Sequence, residues 1–189
     1  MSIDATARAA GTGVSSPYKN SAAGNTKNLP QRIVVLAQGT TLAQANYANT
    51  KTPINGRSDI GQFGTGSPAW SILDVLFPVN GDGVGTVEVS VCALDDHGTG
   101  VPAAGAFVCT VGTLLPGATF RFRIGGVLSD WVVVATGDTP TLLHTKCATA
   151  INAKVAMPVI ATGSAPTCAL AAKWDGITGN DIVLEVVDM

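Results

Sequence analysis

The chain has 189 residues, of which 46% are hydrophobic and 13% charged, and its formal net charge at pH 7 is −2. So small a charge provides no field that attracts nucleic acid or anionic lipid, and neither is expected as a partner. A chain of this length buries about 70% of its unfolded surface, which is enough for a hydrophobic core without disulfides or metals. The sparsely charged surface instead favours contacts between copies of the chain.

The first 28 residues are rich in Ala, Gly, Ser, Thr and Asn and carry few large apolar side chains. Such a composition buries too little surface to offset the entropy of ordering, which predicts a flexible N-terminal arm over residues 1–28. The opening residues also lack the apolar core of a signal peptide, and no apolar run approaches the roughly 18 residues of a membrane span. We expect synthesis in a reducing cytoplasm and no membrane contact.

Residues 29–100 are predicted to form a first α/β portion. The continuous apolar run Ile33–Ala37 predicts a central strand covered on both faces. A helical turn is expected at 41–47, within a segment that is otherwise loop as far as Gly66. Ser67-Pro68 is a typical helix start, and apolar residues at i, i+3 and i+7 follow it until Pro78 prevents continuation.

Alternation of Val87, Val89 and Val91 with polar residues predicts a strand that runs to about Leu94. The polar tip 95–100 follows, and a domain boundary is expected there. The second domain, 101–189, is predicted to be β-rich, with strands at 106–111, 119–124 and 131–135.

The last two of these strands flank Gly125-Gly126, a pair suited to the positive φ angles of a tight hairpin turn. Thr139-Pro140 then starts a crossing helix over 140–153. Strands near 158–162, 166–173 and 181–187 complete this domain. The fold class is therefore α+β, with a mixed sheet layer and short helices followed by the β-rich domain.

The order of these elements resembles the middle region of contractile-tail sheath proteins from Mu-like phages. The resemblance is carried by the strand 32–39, the helix start at 64–68, the helix 140–153, and the loop Gly176-Ile177-Thr178-Gly179-Asn180-Asp181 before the closing strand. It covers about residues 30–187. Members of this family run to several hundred residues, and their C-terminal region, which packs on the tail tube, has no counterpart before Met189.

The resemblance implies a structural virion protein, a subunit or fragment of a tail sheath that assembles in the host cytoplasm and is located in the phage tail. Its implied partners are other copies of itself and, in a full-length form, the tail tube protein. In that family, terminal arms join subunits by strand addition, and contraction during DNA injection needs no nucleotide hydrolysis. The alternative is a phage or bacterial surface β-domain that binds a ligand or receptor through its Trp residues and the 95–100 loop.

Four cysteines stand apart in apolar runs, at Cys92, Cys109, Cys147 and Cys168. They lack the close ligand pairs of a zinc site and the short secreted context of a disulfide framework, so we expect them to be reduced and largely buried. No metal residues are nominated.

Other candidate chemistry is weak. Asp95-Asp96-His97 contains carboxylates, which are ligands for hard cations, but a solvated loop is the preferred interpretation. His144 is expected to contact polar surface or a neighbouring subunit. The glycine loops at 64–67 and 81–85 superficially resemble phosphate-binding loops but lack the Lys-Ser/Thr context of a P-loop. No nucleophile, base and oxyanion donor converge, so we expect no enzyme, no catalytic residue and no cofactor.

Overall fold

The computed structural model describes residues 31–187 except positions 48, 82, 86, 97, 111–115 and 165, and it does not describe the side chains of Ala45 and Asn46. The predicted arm 1–28 and His97 lie outside this part of the chain. Ile33–Met189 form one compact unit. Within the described residues, ten strands form three sheets with helices beside them, which confirms the α+β class.

The first sheet contains β1 (Arg32–Gln38), β2 (Lys51–Ile54) and β3 (Glu88–Leu94) in the order β1-β3-β2. Strands β2 and β3 are antiparallel. One face of the sheet packs on helix α1 (Pro68–Leu76) and on a 3₁₀ helix at Arg57–Phe63. The fully buried members of this first core include Tyr47, Phe63, Leu73, Val89 and Val91.

Helix α1 begins as its sequence predicts. The Ser67 hydroxyl accepts a hydrogen bond from the backbone N–H of Trp70 at 3.1 Å, and Pro68 occupies the first helical turn. Leu73 is completely buried in the first core, and the helix ends one residue before Phe77. The N-cap and the proline therefore specify this helix locally.

The prediction that the first strand is central and covered on both faces is wrong within the described sheet. β1 is an edge strand, and Val34 and Leu36 on its outer face remain 56% and 65% exposed. The centre belongs to β3, where Val89 and Ser90 are buried on opposite faces. An apolar run indicates two faces that need cover, but it does not indicate that the same chain supplies it.

The segment before Gly66 is also more ordered than predicted. It contains β2 and the 3₁₀ helix Arg57–Phe63, whose Ile60 and Phe63 enter the first core. Pro53 obscured the strand in the sequence. Because β2 is an edge strand, a proline with no N–H to donate is tolerated there.

The remaining two sheets lie in the second half of the chain. One contains β5 (Thr119–Ile124) between β10 (Leu184–Val187) and β6 (Val127–Leu128), with β7 (Val132–Val133) also pairing β5. The other has β9 (Thr167–Asp175) between β4 (Pro102–Phe107) and β8 (Val159–Ser164). All these pairs are antiparallel; they are β10–β5, β5–β6, β5–β7, β4–β9 and β8–β9.

The turn at Gly125-Gly126 connects β5 to the short strand β6, and both glycines have positive φ, at 55° and 87°. The segment predicted as the strand 131–135 contains only β7, which pairs with the start of β5 through Thr119 and Val133. The strand predicted at 106–111 lies earlier in the chain, because β4 spans Pro102–Phe107.

Helix α2 (Pro140–Asn152) packs across the sheets and agrees with the predicted range within one residue. Thr139 caps it by accepting from the Leu142 N–H at 3.2 Å. At the other end, Asn152 forms two hydrogen bonds with the backbone of Ala161, donating to its carbonyl at 2.7 Å and accepting from its N–H at 2.9 Å. The helix is thus fixed to β8 at its C-terminal end.

Two hydrophobic clusters result. The first draws its buried residues from positions 35–93 and the second from 109–168, with Phe122, Ile124, Leu143, Ile151 and Met157 at its centre. Their separation in sequence supports the predicted domain boundary near 95–100. That boundary remains a proposal.

Candidate functional site

Exposed apolar side chains lie on two of the edge strands. Val34 and Leu36 project from β1, and Val183, Leu184 and Val186 project from β10 and the residue before it. Within the described residues, β1 and β10 each have one neighbouring strand, so each also presents an open backbone edge. An exposed apolar edge strand is a template for contact with another chain.

A polar junction connects the first sheet to β9. The Asp96 carboxylate accepts hydrogen bonds from Gln38 Nε2 at 2.9 Å, Thr41 Oγ1 at 2.9 Å and the Asp175 N–H at 3.3 Å. Gln38 Nε2 also donates to the Asp175 carbonyl, and its Oε1 accepts from Thr178 Oγ1 at 2.7 Å. One carboxylate therefore holds three backbone segments together.

The interpretation of the acidic cluster as a solvated loop is wrong for Asp96, although Asp95 beside it is exposed. Burial, aided by the charges of Asp96 and Asp95, raises the pKa of Tyr47 to about 12. Tyr47 therefore stays protonated and donates to the Thr40 carbonyl at 2.9 Å. These groups have structural partners, and the described residues contain no group of three or more His, Cys, Asp or Glu side chains placed to hold a metal.

His144 lies in the second core with no exposed surface, so its expected contact with polar surface is wrong. Its Nε2 accepts from the Cys109 backbone N–H at 2.8 Å, while Nδ1 has no hydrogen-bond partner among the described residues. Sequence reasoning missed this contact because 35 residues separate the two partners. An i, i+3 pair of His144 and Cys147 on α2 was the available signal.

All four cysteines are free in the structure, and their reduced state stays a prediction. Cys109, Cys147 and Cys168 are buried and Cys92 is half-buried.

The glycine loop before α1 serves packing. Gly64 and Gly66 have φ of 80° and 86°, and a Cβ at Gly66 would lie 2.4 Å from the Met157 carbonyl oxygen. The Gly64 N–H donates to the Gly61 carbonyl and the Ser67 N–H to the Gly64 carbonyl. The loop's glycines thus allow a close approach to another segment, which explains them without a phosphate.

The three tryptophans do not form an open stacking surface. Trp174 is buried and donates to Thr178 Oγ1 at 2.9 Å. Trp70 packs on the first core. Trp131 is half exposed, and the Arg121 guanidinium lies 4.6 Å from its ring centroid, a cation–π contact.

A cleft of about 440 Å³ lies beside Thr40, Gly64, Thr65 and Ile160. Lys173 is the only titratable side chain among its described lining residues. Burial lowers the pKa of Lys173, and its ammonium donates to the carbonyls of Thr65 at 3.1 Å and Val155 at 2.9 Å. Lys173 thus joins β9 to two loops, and the cleft brings no acid–base pair together.

Over 146 residues, the chain is 30% identical to the Mu-like prophage FluMu tail sheath protein of Haemophilus influenzae. The match is to a tail sheath protein. It covers 77% of this chain but 27% of that protein, so the chain spans about a quarter of the length of its relative. No family model matches the chain.

The similarity points to a structural tail component of a phage and away from a catalytic protein. Among the described residues, no helix has the length and apolar character needed to cross a membrane.

Proposed function

We propose that the chain is a subunit, or a part of one, of a contractile phage tail sheath, and that its function is distributed over contacts between copies. The observation that carries this proposal is the 30% identity to a tail sheath protein over 77% of the chain. The sheath surrounds the tail tube in the virion, having assembled in the host cytoplasm. The sheath drives contraction during genome ejection, and the tail tube protein is the further partner of a full-length form.

The exposed strand edges support a role in assembly. Val34 and Leu36 on β1 and Val186 on β10 expose apolar surface on strands that each have one neighbouring strand within the described sheets. A strand from another copy would pair with the backbone of the open edge and place its own side chains beside these apolar residues. Backbone pairing demands little of the sequence, which suits a contact that persists while subunits rotate. The occupant we propose is the N-terminal arm of residues 1–28 from a neighbouring copy.

The polar junction supports the mechanical part of the proposal. A sheath subunit transmits force between contacts on different sheets, so its two cores must move together. Asp96, Gln38 and Lys173 link them through hydrogen bonds near the C-terminal end of β9.

Sedimentation velocity and negative-stain electron microscopy of the 189-residue chain test the proposal. The double variant Val34→Lys with Leu36→Lys adds charge to the β1 edge. Its matched control, Leu142→Lys with Val155→Lys, changes the same residue types at exposed positions outside the strands. We expect the wild type and the control to form rings or tubes as concentration rises, and the β1 variant to remain monomeric.

A wild-type chain that stays monomeric at every concentration would contradict the proposal for this chain. Equal assembly by the β1 variant and its control would show that β1 is not part of the contact between copies.

A further inference from the structure

We infer that Cys109 and Cys147 form an oxidisable thiol pair that closes to an intramolecular disulfide when the protein meets a two-electron oxidant such as hydrogen peroxide. This inference goes beyond the proposed function and does not depend on it.

The geometry of the two sulfurs carries the inference. Cys109 Sγ lies 3.7 Å from Cys147 Sγ in the reduced protein. To reach an S–S bond length of about 2.05 Å, the two sulfurs must approach by about 1.6 Å, a movement within the reach of small side-chain rotations. Cys168 lies in the same core, on β9 opposite Phe107, and the described sulfur–sulfur contact joins Cys109 to Cys147.

A neighbouring hydrogen bond holds the two cysteines in position. Cys147 lies on α2, one helical turn after His144, and His144 Nε2 accepts the Cys109 backbone N–H at 2.8 Å. This hydrogen bond ties the segment after β4 to the helix that carries the second thiol. The core therefore fixes both ends of the future bond before oxidation.

The two thiols are not equivalent. The hydrogen bond between them lowers the pKa of Cys109 and raises the pKa of Cys147, so Cys109 is the better source of thiolate. Cys109 also retains 8% of its surface exposed while Cys147 retains none. Of the two residues, Cys109 is thus the more accessible to a small neutral oxidant.

The reaction has two steps. The Cys109 thiolate attacks one oxygen of hydrogen peroxide, the O–O bond breaks and hydroxide leaves, which yields a sulfenic acid. The Cys147 sulfur then displaces hydroxide from the Cys109 sulfur and loses its proton, and the S–S bond forms. In total, two thiols are oxidised by two electrons and one peroxide is reduced to two molecules of water.

Closing the bond should stabilise the second core, because it removes conformational freedom from the unfolded chain between the two positions. For a loop of this length we expect a rise in melting temperature of about 5 to 10 °C. The rise should reverse on adding a thiol reductant.

The test uses the native chain with hydrogen peroxide, followed by intact mass and by peptide mapping without reduction. The expected product lacks two hydrogen atoms, joins the peptides of Cys109 and Cys147, and melts at the higher temperature. Cys168→Ala, which removes a buried thiol of the same core, should leave both results unchanged apart from a common shift in baseline stability. Cys147→Ala should abolish the cross-link and the oxidant-dependent rise.

The cross-link is identified by peptide mapping of the wild-type chain, so a variant that fails to fold does not obscure the result. Peroxide that gives only over-oxidised Cys109, or a cross-link that uses Cys92 or Cys168 instead, would overturn the inference.

Discussion

Gln38 at the end of β1 donates to the carboxylate of Asp96 across 2.9 Å, although 58 residues separate the two in the chain. The same Asp96 carboxylate accepts from Thr41 and from the backbone of Asp175, so it connects the first sheet with β9.

Asp96→Ala removes all three of these acceptor contacts. Because the donors include a backbone N–H in a half-buried junction, we expect the free energy of unfolding to fall by about 1 to 3 kcal/mol. Urea unfolding measures the change. Asp95→Ala is the matched control, since Asp95 is exposed and its described contact with Asn49 spans 3.5 Å. Equal stability losses for the two variants would contradict a stabilising role of Asp96 at the junction.

Gly163→Ala tests the close packing of β8 on α2. A Cβ at this glycine would lie 2.3 Å from the His144 carbonyl oxygen, so the strand or the helix must shift. We expect a loss of about 1 to 3 kcal/mol, the usual cost of overpacking a core. Gly105→Ala on β4 is the control, because a Cβ there meets nothing within 4 Å. A thermal melt that does not distinguish the two variants would contradict the described contact.

Asp138 links stability to pH. Lys146, which donates to it at 2.7 Å, and the Ala135 N–H, at 2.8 Å, lower the pKa of its carboxyl. Since the folded pKa lies below the unfolded one, the resulting stability is fully present above about pH 4 and is lost as the pH falls through the folded value.

Asp138→Asn should therefore be less stable than the wild type at pH 7, and this difference should shrink as the pH is lowered below about 4. Melting temperatures measured across that range test this expectation. Lys146→Met removes the cation from the same pair and should weaken the acid dependence as well. A difference between wild type and Asp138→Asn that stays constant down to pH 3 would refute the linkage.

Deletion of residues 1–28 separates folding from assembly. Because the arm's composition offers little apolar surface, we expect the melting temperature of the remaining chain to be nearly unchanged. Ordered self-association should weaken if the arm joins neighbouring copies. Strong protection of these amides from hydrogen exchange in the dilute monomer, with a large loss of stability on deletion, would place the arm in the core instead.

The parts of the fold that local chemistry specifies could be predicted from the sequence. Ser67 and Thr139 cap their helices, and Phe120, Phe122 and Ile124 are all buried on one face of β5 as their alternation indicates. These features depend on neighbours within a few residues, so a single sequence contains the necessary information.

The remaining features depend on contacts between distant segments. The edge position of β1 follows from which strand occupies the centre of its sheet, and the apolar run alone does not contain that information. Likewise, Asp96 and His144 obtain their partners from segments dozens of residues away. Periodicity and spacing therefore predicted the burial of Cys109, Cys147 and Cys168 and the starts of both helices. They did not predict the polar junction or the contact between two thiols.

Hydrogen–deuterium exchange of the monomer and of the sedimented assembly tests the central claim most directly. If contacts between copies form at the exposed edges, the amides of β1 and β10 should exchange about tenfold or more slowly in the assembly. Those of β3, which already has a neighbouring strand on each side, should change little. Unchanged exchange at both β1 and β10 in an assembly, or a chain that never assembles, would contradict the account.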